Sequence, residues 1–381
     1  MTSLAGQKIL LAAEYIEYGG TRTYFKELVR FYAGLGADVL AVTTYPSQDS
    51  DMQRFLRDHG FTLRIFSDVE SEFGDGFRRA TPSVWNPGQA RQERKMFERL
   101  CAETGVDRVV ISVGTSGLFL SATHVRPRPI MIAHGYPHGT RQQILGRWLH
   151  GGGAPVGLRI VTVSEYSAKL FRRIWATERR GIDVRTIWSS CGQPPLSFQP
   201  WERRDISVIT ASLLESYKEP FRWIDIAKQV CEREEQLSQA PFVWLGDGTL
   251  LHQSRAYALK TGIDSIQFPG WDSNPVEAYG RSRVYLQTSS KEALGLSVVD
   301  AIRHGLPCVV PDVGGMPEVV LNNVNGYVVP AHDIQAAANA IIELLTNQEL
   351  WMKMSDSARE VYRERFSPEL WHQSMLTAHL Q

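Results

Sequence analysis

Ser289-Ser-Lys-Glu-Ala-Leu-Gly-Leu-Ser-Val-Val-Asp-Ala301 runs directly into Ile302-Arg-His-Gly-Leu-Pro-Cys-Val-Val-Pro-Asp-Val-Gly-Gly-Met-Pro-Glu318. The stretch sets one carboxylate, Glu292, in a polar approach and a second, Asp300, eight residues later in an apolar run that reads as a helix over 294–304. Gly295 lies between them, where a backbone can approach a ligand closely. Eight helical residues rise about 12 Å. That span suits a ligand with hydroxyl groups at both ends and a charged middle, the shape of a nucleotide-sugar. Its charged middle would lie against the helix N-terminus, where free N–H groups and the macrodipole favour phosphate.

The segment resembles the signature of the retaining glycosyltransferases called family 4, or group 1, which have the GT-B fold. That signature is a Glu, seven residues and a second Glu, with Gly-Phe-Gly-Leu after the first. Gly-x-Pro-Val and Gly-Gly-x-Pro-Glu follow downstream. Here Glu292 is followed by Ala293-Leu294-Gly295-Leu296, and Gly305-Leu-Pro-Cys308 and Gly314-Gly-Met-Pro-Glu318 fall in register. Asp300 replaces the second Glu and is one methylene shorter. An isolated Glu/Asp pair around a glycine is usually solvated surface. The ordered run of matches carries the resemblance.

The rest of the chain agrees with a two-domain α/β protein. Its 381 residues exceed one ordinary core, and its 43% hydrophobic and 22% charged residues are those of a globular protein. Short apolar strand-like runs alternate with helical stretches. Strands are expected at 7–13, 37–43, 61–66, 108–113, 129–133 and 158–163, then at 206–211, 241–245, 265–268, 283–287, 306–310 and 326–329. Cys191-Gly-Gln-Pro-Pro-Leu-Ser-Phe-Gln-Pro-Trp201, with three prolines and a glycine, reads as the linker between the two sets. The expected domains are therefore 1–195 and 196–365, both Rossmann-like parallel-sheet domains facing across a cleft. The resemblance adds 366–381 as a C-terminal helix crossing back to the first domain, and makes the first domain acceptor-binding and the second nucleotide-sugar-binding.

Charge is distributed unevenly although the net charge is zero. Residues 1–195 carry 25 basic and 18 acidic side chains, a net of +7, and residues 196–381 carry 16 and 23, a net of −7. The basic half includes Arg172, Arg173, Arg179 and Arg180. It suits either an anionic membrane surface or phosphate-bearing acceptor, or simply an oppositely charged neighbouring half. The four cysteines, Cys101, Cys191, Cys231 and Cys308, are scattered, which argues against zinc and a disulfide framework and suits a reducing compartment. The apolar run 8–13 is too short for a signal-peptide core, and no run approaches a membrane span, so a cytoplasmic location is expected, with peripheral contact to the inner membrane face left open.

By the resemblance, further residues fall at ligand positions. The family has Gly-Arg at the end of the first C-domain strand and a Lys six residues after that Arg, both on the donor diphosphate. Lys218 matches the lysine, but Ser212 stands in the arginine's place, so a bidentate cation is missing; Arg22 and Arg222 are candidates to replace it. Tyr18-Gly-Gly-Thr-Arg-Thr23 places Gly19 and Gly20 between a strand and a helix, where the family has a Gly-Gly pair. His134 ends a strand-like run and matches a histidine that reaches the transferred sugar; His138 is the alternative. Gly246 falls in the turn beneath the nucleotide, Trp271 is a stacking candidate for the base, and Asp272 a base or ribose contact. Two look-alikes are set aside. His150-Gly-Gly-Gly153 resembles a lipase oxyanion loop, but the chain has no Gly-x-Ser-x-Gly. Asp49-Ser-Asp51 resembles a metal-binding Asp-x-Asp but reads as a solvated turn.

The resemblance thus implies transfer of a hexose-type sugar from a UDP- or GDP-sugar to a hydroxyl of a free or lipid-linked saccharide, with retention and without metal or other cofactor. Catalytic roles fall to Glu292, Lys218 and His134, and donor contacts to Gly19, Gly20, Ser212, Gly246, Trp271, Ala293, Leu294, Gly295, Leu296 and Asp300 besides. Bacterial cell-surface polysaccharide or glycolipid synthesis is the expected setting, and no nucleic-acid partner is implied. Two alternatives stand: a non-catalytic sugar-nucleotide-binding or scaffold protein, kept open by Ser212 and Asp300, and a UDP-sugar epimerase of the same fold.

Overall fold

Apolar runs bounded by turns become parallel strands, whose side chains are buried on both faces. The computed structural model describes residues 4–13, 19–43, 50–65, 87–113, 125–137, 158–175, 177, 181–195, 197–205, 207–272 and 275–380. The first sheet holds β1 (Lys8–Ala13), β2 (Asp38–Thr43), β3 (Thr62–Ile65), β4 (Arg108–Val113), β5 (Pro129–Ala133), β6 (Arg159–Thr162) and β7 (Asp183–Thr186) in the order β3-β2-β1-β4-β5-β6-β7. The second holds β8 (Val208–Ala211), β9 (Phe242–Leu245), β10 (Ile266–Gly270), β11 (Val284–Leu286), β12 (Cys308–Pro311) and β13 (Gly326–Val329) in the order β10-β9-β8-β11-β12-β13. All pairings are parallel. Both are doubly wound sheets, and each reverses its strand order at one point: β1/β4 in the first, β8/β11 in the second. Ligands of such sheets bind outside the carboxyl ends of the strands at that point.

Twelve of these strands lie where the apolar runs predict them. The sequence reading missed β7. Its Asp-Val-Arg-Thr is only half-buried throughout, as an edge strand is, and Asp183 spends its charge on Arg159 and Arg185, each at 2.8 Å.

The chain divides into two units, 1–189 with 371–381, and 190–370. In the first, Phe97, Ile111, Met131, Phe171 and Trp175 lie in the core. The helix Pro368–Leu380 delivers Trp371 edge-on to Tyr24 and Phe31, at ring separations of 5.5 and 5.6 Å. That helix's final carbonyls are capped by arginines of the sheet: Arg108 donates to the carbonyl of His379 at 2.6 Å, and Arg159 to that of Ala378. Cations suit a helix C-terminus. In the second unit Trp223, Phe242, Trp244 and Phe268 pack together, and both indole N–H groups are satisfied, Trp223 by Thr210 Oγ1 at 2.7 Å and Trp244 by the carbonyl of Ser212 at 2.8 Å. Among the described residues, no helix is long and apolar enough to cross a membrane.

Candidate active site

The second unit's switch point carries the best-defined polar cluster. After β8 the chain runs to a single 3-10 turn, Ser216–Lys218, and then to the helix Pro220–Arg233. After β11 it forms a loop over 287–295 before the helix Leu296–Arg303. The two loops are stitched together: Ser290 N donates to the carbonyl of Tyr217 at 2.8 Å, and Thr288 Oγ1 to that of Lys218 at 2.8 Å. This brings the Lys218 ammonium onto Glu292 Oε1 as an ion pair, with the two side chains only 12% and 13% exposed. Ser289 Oγ donates to the same oxygen at 3.1 Å, and Gln287 Nε2 approaches it at 3.3 Å. Gln287 and Ser289 were missed in the sequence. Their signal was available: polar residues placed immediately after a buried apolar strand, and themselves 1% and 0% exposed.

A second loop supports Glu292 from behind. Gly314, at φ +63, lies so close that a Cβ there would stand 1.8 Å from the carbonyl oxygen of Glu292. The Gly-Gly-Met-Pro-Glu segment therefore acts as a backbone rest for the carboxylate-bearing loop. Gly246 has the same relation to Ser212: at φ +155, its Cβ would stand 1.9 Å from the Ser212 carbonyl.

One expectation needs correction. The helix begins at Leu296, not 294, with Gly295 at φ +94 as its N-cap, so Glu292 to Asp300 is not a helical rise and the 12 Å span does not apply. Leu294 is 2% exposed, so its side chain packs inward; Ala293 lies in the loop and Leu296 opens the helix. Asp300, expected at a ribose diol, stands apart from the Lys218–Glu292 cluster. Its carboxylate stands 2.5 Å from Arg303 and 3.7 Å from His304 Nδ1, and Arg303 in turn donates to the carbonyls of Cys191 and Gln193 at 2.9 and 3.0 Å. Arg222, a candidate to replace the missing arginine, pairs with Glu219 at 3.3 Å and reaches the carbonyl of Thr288 at 3.4 Å. Ser212 contributes backbone, its N–H on Leu245 at 2.9 Å and its carbonyl on Trp244. Trp271, just beyond β10, is 53% exposed, so an aromatic face is open at a strand's carboxyl end, and Asp272 follows it.

In the first unit, Gly19 and Gly20 open the helix Gly19–Gly34, and Arg22 lies in its first turn. His134 follows β5, with Nε2 2.8 Å from Ser112 Oγ near the end of β4 and its ring edge-on to Tyr24 at 4.6 Å. Burial pushes its pKa down to about 4, so the imidazole is neutral at pH 7 and offers one N–H and one lone pair. Ser50 and Asp51 begin a helix, Ser50–Asp58, rather than the expected turn. Tyr18, Asp49, His138, His150–Gly153, Arg179 and Arg180 lie outside the described residues. Among the described residues no group of three His, Cys, Asp or Glu side chains converges to hold a metal ion.

Residues 198–361 match the family "Glycosyl transferases group 1". The chain is 36% identical over 106 residues to the N-acetyl-alpha-D-glucosaminyl L-malate synthase of Bacillus anthracis, 28% of each chain. It is 26% identical over 145 residues to the UDP-Gal:alpha-D-GlcNAc-diphosphoundecaprenol alpha-1,3-galactosyltransferase of Escherichia coli, 37% of each chain. The matched stretches thus span well under half the length of these curated relatives. Among solved structures, HepE of Anabaena in complex with UDP and glucose superposes with a TM-score of 0.76 at 15% identity, covering 98% of this chain and 99% of that one. The fold is GT-B, with two Rossmann-like parallel-sheet domains.

Proposed function

We propose that this GT-B chain, matched to the group 1 glycosyltransferases over residues 198–361, transfers a hexose-type sugar from a UDP- or GDP-sugar to an acceptor hydroxyl with retention at the anomeric carbon. One observation carries the reading. Lys218 and Glu292, 74 residues apart, are brought into an ion pair at the carboxyl ends of β8 and β11, the switch point of the second sheet. A cation beside a carboxylate suits a ligand that joins a diphosphate to a polyol.

Lys218 and the first-turn amides of the helix Leu296–Arg303 would stabilise charge on the departing diphosphate. Glu292 would hold sugar hydroxyls, Trp271 the base, and neutral His134 a hydroxyl of the transferred sugar. The anomeric carbon–phosphate oxygen bond breaks as the acceptor oxygen–carbon bond forms on the same face. The acceptor's proton passes to the departing phosphate, so the step requires neither an enzyme nucleophile nor a metal. The names of both curated relatives specify alpha-linked products, which supports retention, and the E. coli enzyme's name specifies UDP-Gal and a diphosphoundecaprenol-linked acceptor, which supports a UDP donor and a lipid-linked acceptor in cell-surface polymer or glycolipid assembly. In this reading the first domain binds the acceptor, and the enzyme works in the cytoplasm, with peripheral contact to the membrane through its basic half.

Ser212 and the engagement of Arg222 favour one second reading, a protein that binds nucleotide-sugars without turning them over. Thermal unfolding with a panel of UDP-, GDP-, dTDP- and ADP-sugars separates the two when paired with a transfer assay. A ligand at 100 times its dissociation constant adds about 2.7 kcal/mol. Stabilisation by one nucleotide family, lost in Lys218→Ala, together with sugar transfer supports the enzyme. Stabilisation without transfer supports the binding protein, and no stabilisation by any donor refutes both.

A further inference from the structure

Glu292 is held asymmetrically. Lys218 Nζ, Ser289 Oγ and Gln287 Nε2 all meet its Oε1, and no described residue hydrogen-bonds its Oε2. One carboxylate oxygen is thus anchored by the protein while the other stands ready to accept from a ligand hydroxyl. The three donors differ in kind. Lys218 is the cation that the donor-site reading assigns to phosphate, so a bound diphosphate competes with Glu292 for it. The two neutral donors have no such rival. Behind them lies an ordered chain: Tyr285 O–H donates to Gln287 Oε1 at 2.9 Å, and Gln287 Nε2 donates to Ser289 Oγ at 2.5 Å, whose own proton goes to Glu292. Tyr285 is fully buried and burial raises its pKa, so it stays a donor throughout the working range. The Glu292 carboxylate, which only accepts, settles the amide's orientation. The flipped amide would turn Gln287's carbonyl toward the Glu292 carboxylate and leave two acceptors facing each other.

We propose that Gln287, held by Tyr285, is the positioning residue that keeps Glu292 aimed at the donor sugar once Lys218 has turned to the diphosphate. Gln287 touches no ligand itself and acts through Glu292 and Ser289. The proposal rests on the donor-site reading above and adds the residue on which its sugar recognition depends.

The test is a mutant cycle on the full chain with Gln287→Leu, Glu292→Ala and the double variant, read by kcat with the nucleotide-sugar and by calorimetric binding of UDP or GDP, whichever the wild type takes. Gln287→Leu should lower kcat by about tenfold, the scale of losing a hydrogen bond to a charged group. Its affinity for the sugar-free nucleoside diphosphate should stay at the wild-type value. The double variant should be no slower than Glu292→Ala, because a residue that acts only through Glu292 has nothing left to position. Losses that multiply in the double variant overturn the proposal. So does a fall in nucleoside diphosphate affinity that tracks the fall in kcat, which marks general damage to the loop. If Gln287→Leu does not fold, Tyr285→Phe removes only the hydroxyl that holds Gln287 and enters the same cycle with the same criteria. A wild type that binds no nucleoside diphosphate fails differently: it removes the donor-site reading itself, and the positioning role with it.

Discussion

Replacing Gly314 by alanine tests the contact between the two loops at its tightest point. The new Cβ would stand 1.8 Å from the carbonyl oxygen of Glu292. Carbon and oxygen tolerate about 3.3 Å, so one backbone must retreat by about 1.5 Å. A misplacement of about 1 Å in a catalytic group costs on the order of 10²-fold in rate. Gly314→Ala should therefore lose about 10²-fold in kcat or more. Strain alone does not explain such a loss, and a second glycine isolates it. Gly262 has nearly the same backbone, φ +72, yet nothing lies within 4 Å of its absent Cβ. Gly262→Ala carries only the left-handed penalty, about 1–2 kcal/mol. In a domain of this size that lowers Tm by about 2–8 °C. Steady-state transfer assays and thermal unfolding on both variants decide the matter. Gly314→Ala turning over within about threefold of wild type would refute the argument that this glycine sets the place of Glu292.

Three further outcomes follow from the same geometry. Acid should destabilise the first unit: burial, with Arg108 and Arg159 nearby, holds His379 down to about 4. Its unfolded value is about 6.5, so between those values the unfolded chain binds more protons, and stability is full above about pH 6.5 and lost as pH falls toward 4. The loss at pH 5 is about 2 kcal/mol from this one group, so His379→Leu should flatten the fall in Tm between pH 7 and pH 5, and an unchanged slope would refute the assignment. Trp271→Ala should weaken nucleotide binding by about tenfold or more while leaving kcat at saturation unchanged, as a base-stacking platform requires; equal affinities in calorimetry would place the base elsewhere. A chelator at excess should leave transfer rates intact, and a reaction abolished by it and restored by added divalent cation would overturn the metal-independent mechanism.

The fold was legible because its strands are buried on both faces. Ile9-Leu-Leu-Ala-Ala13 and Cys308-Val-Val-Pro311 are apolar runs too short for a helix, and the turn residues around them bound them closely. β7 escaped because an edge strand needs no apolar run; its charges are satisfied by a neighbour's arginine, a contact no local pattern announces. Lys218 and Glu292 were legible as a pair only through the family register, since nothing in either segment says that two positions 74 apart in sequence will close on each other. The spacing of Glu292 and Asp300 misled for a plain reason. Gly295 takes a left-handed backbone, the helix starts after it, and residues on either side no longer share a helical rise. The support beneath Glu292 was only partly legible: polar Gln287 and Ser289 after an apolar strand and the motif glycine Gly314 were in view, but not that all three meet Glu292.

The site's charge balance bears on how it manages without an arginine at position 212. Lys218 is neutralised by Glu292, and both side chains are largely shielded from water. An arginine in the family's place would leave a standing positive charge to draw in a diphosphate; with Ser212, the pair alone is neutral. On the proposed reading a diphosphate would then be attracted by changing a partnership rather than by filling an unpaired cation. That exchange is affordable only if Glu292 does not lose its place when Lys218 leaves, because a buried carboxylate stripped of its donors is costly. Ser289 and Gln287 meet that requirement, and on the proposed reading a sugar's hydroxyls would complete it on the opposite oxygen. A diphosphate would then gain Lys218 most readily when a sugar arrives with it, and recognition of the two ends of the donor would be coupled through one carboxylate. On that reading a missing arginine would move discrimination from the phosphate alone to the phosphate and sugar together.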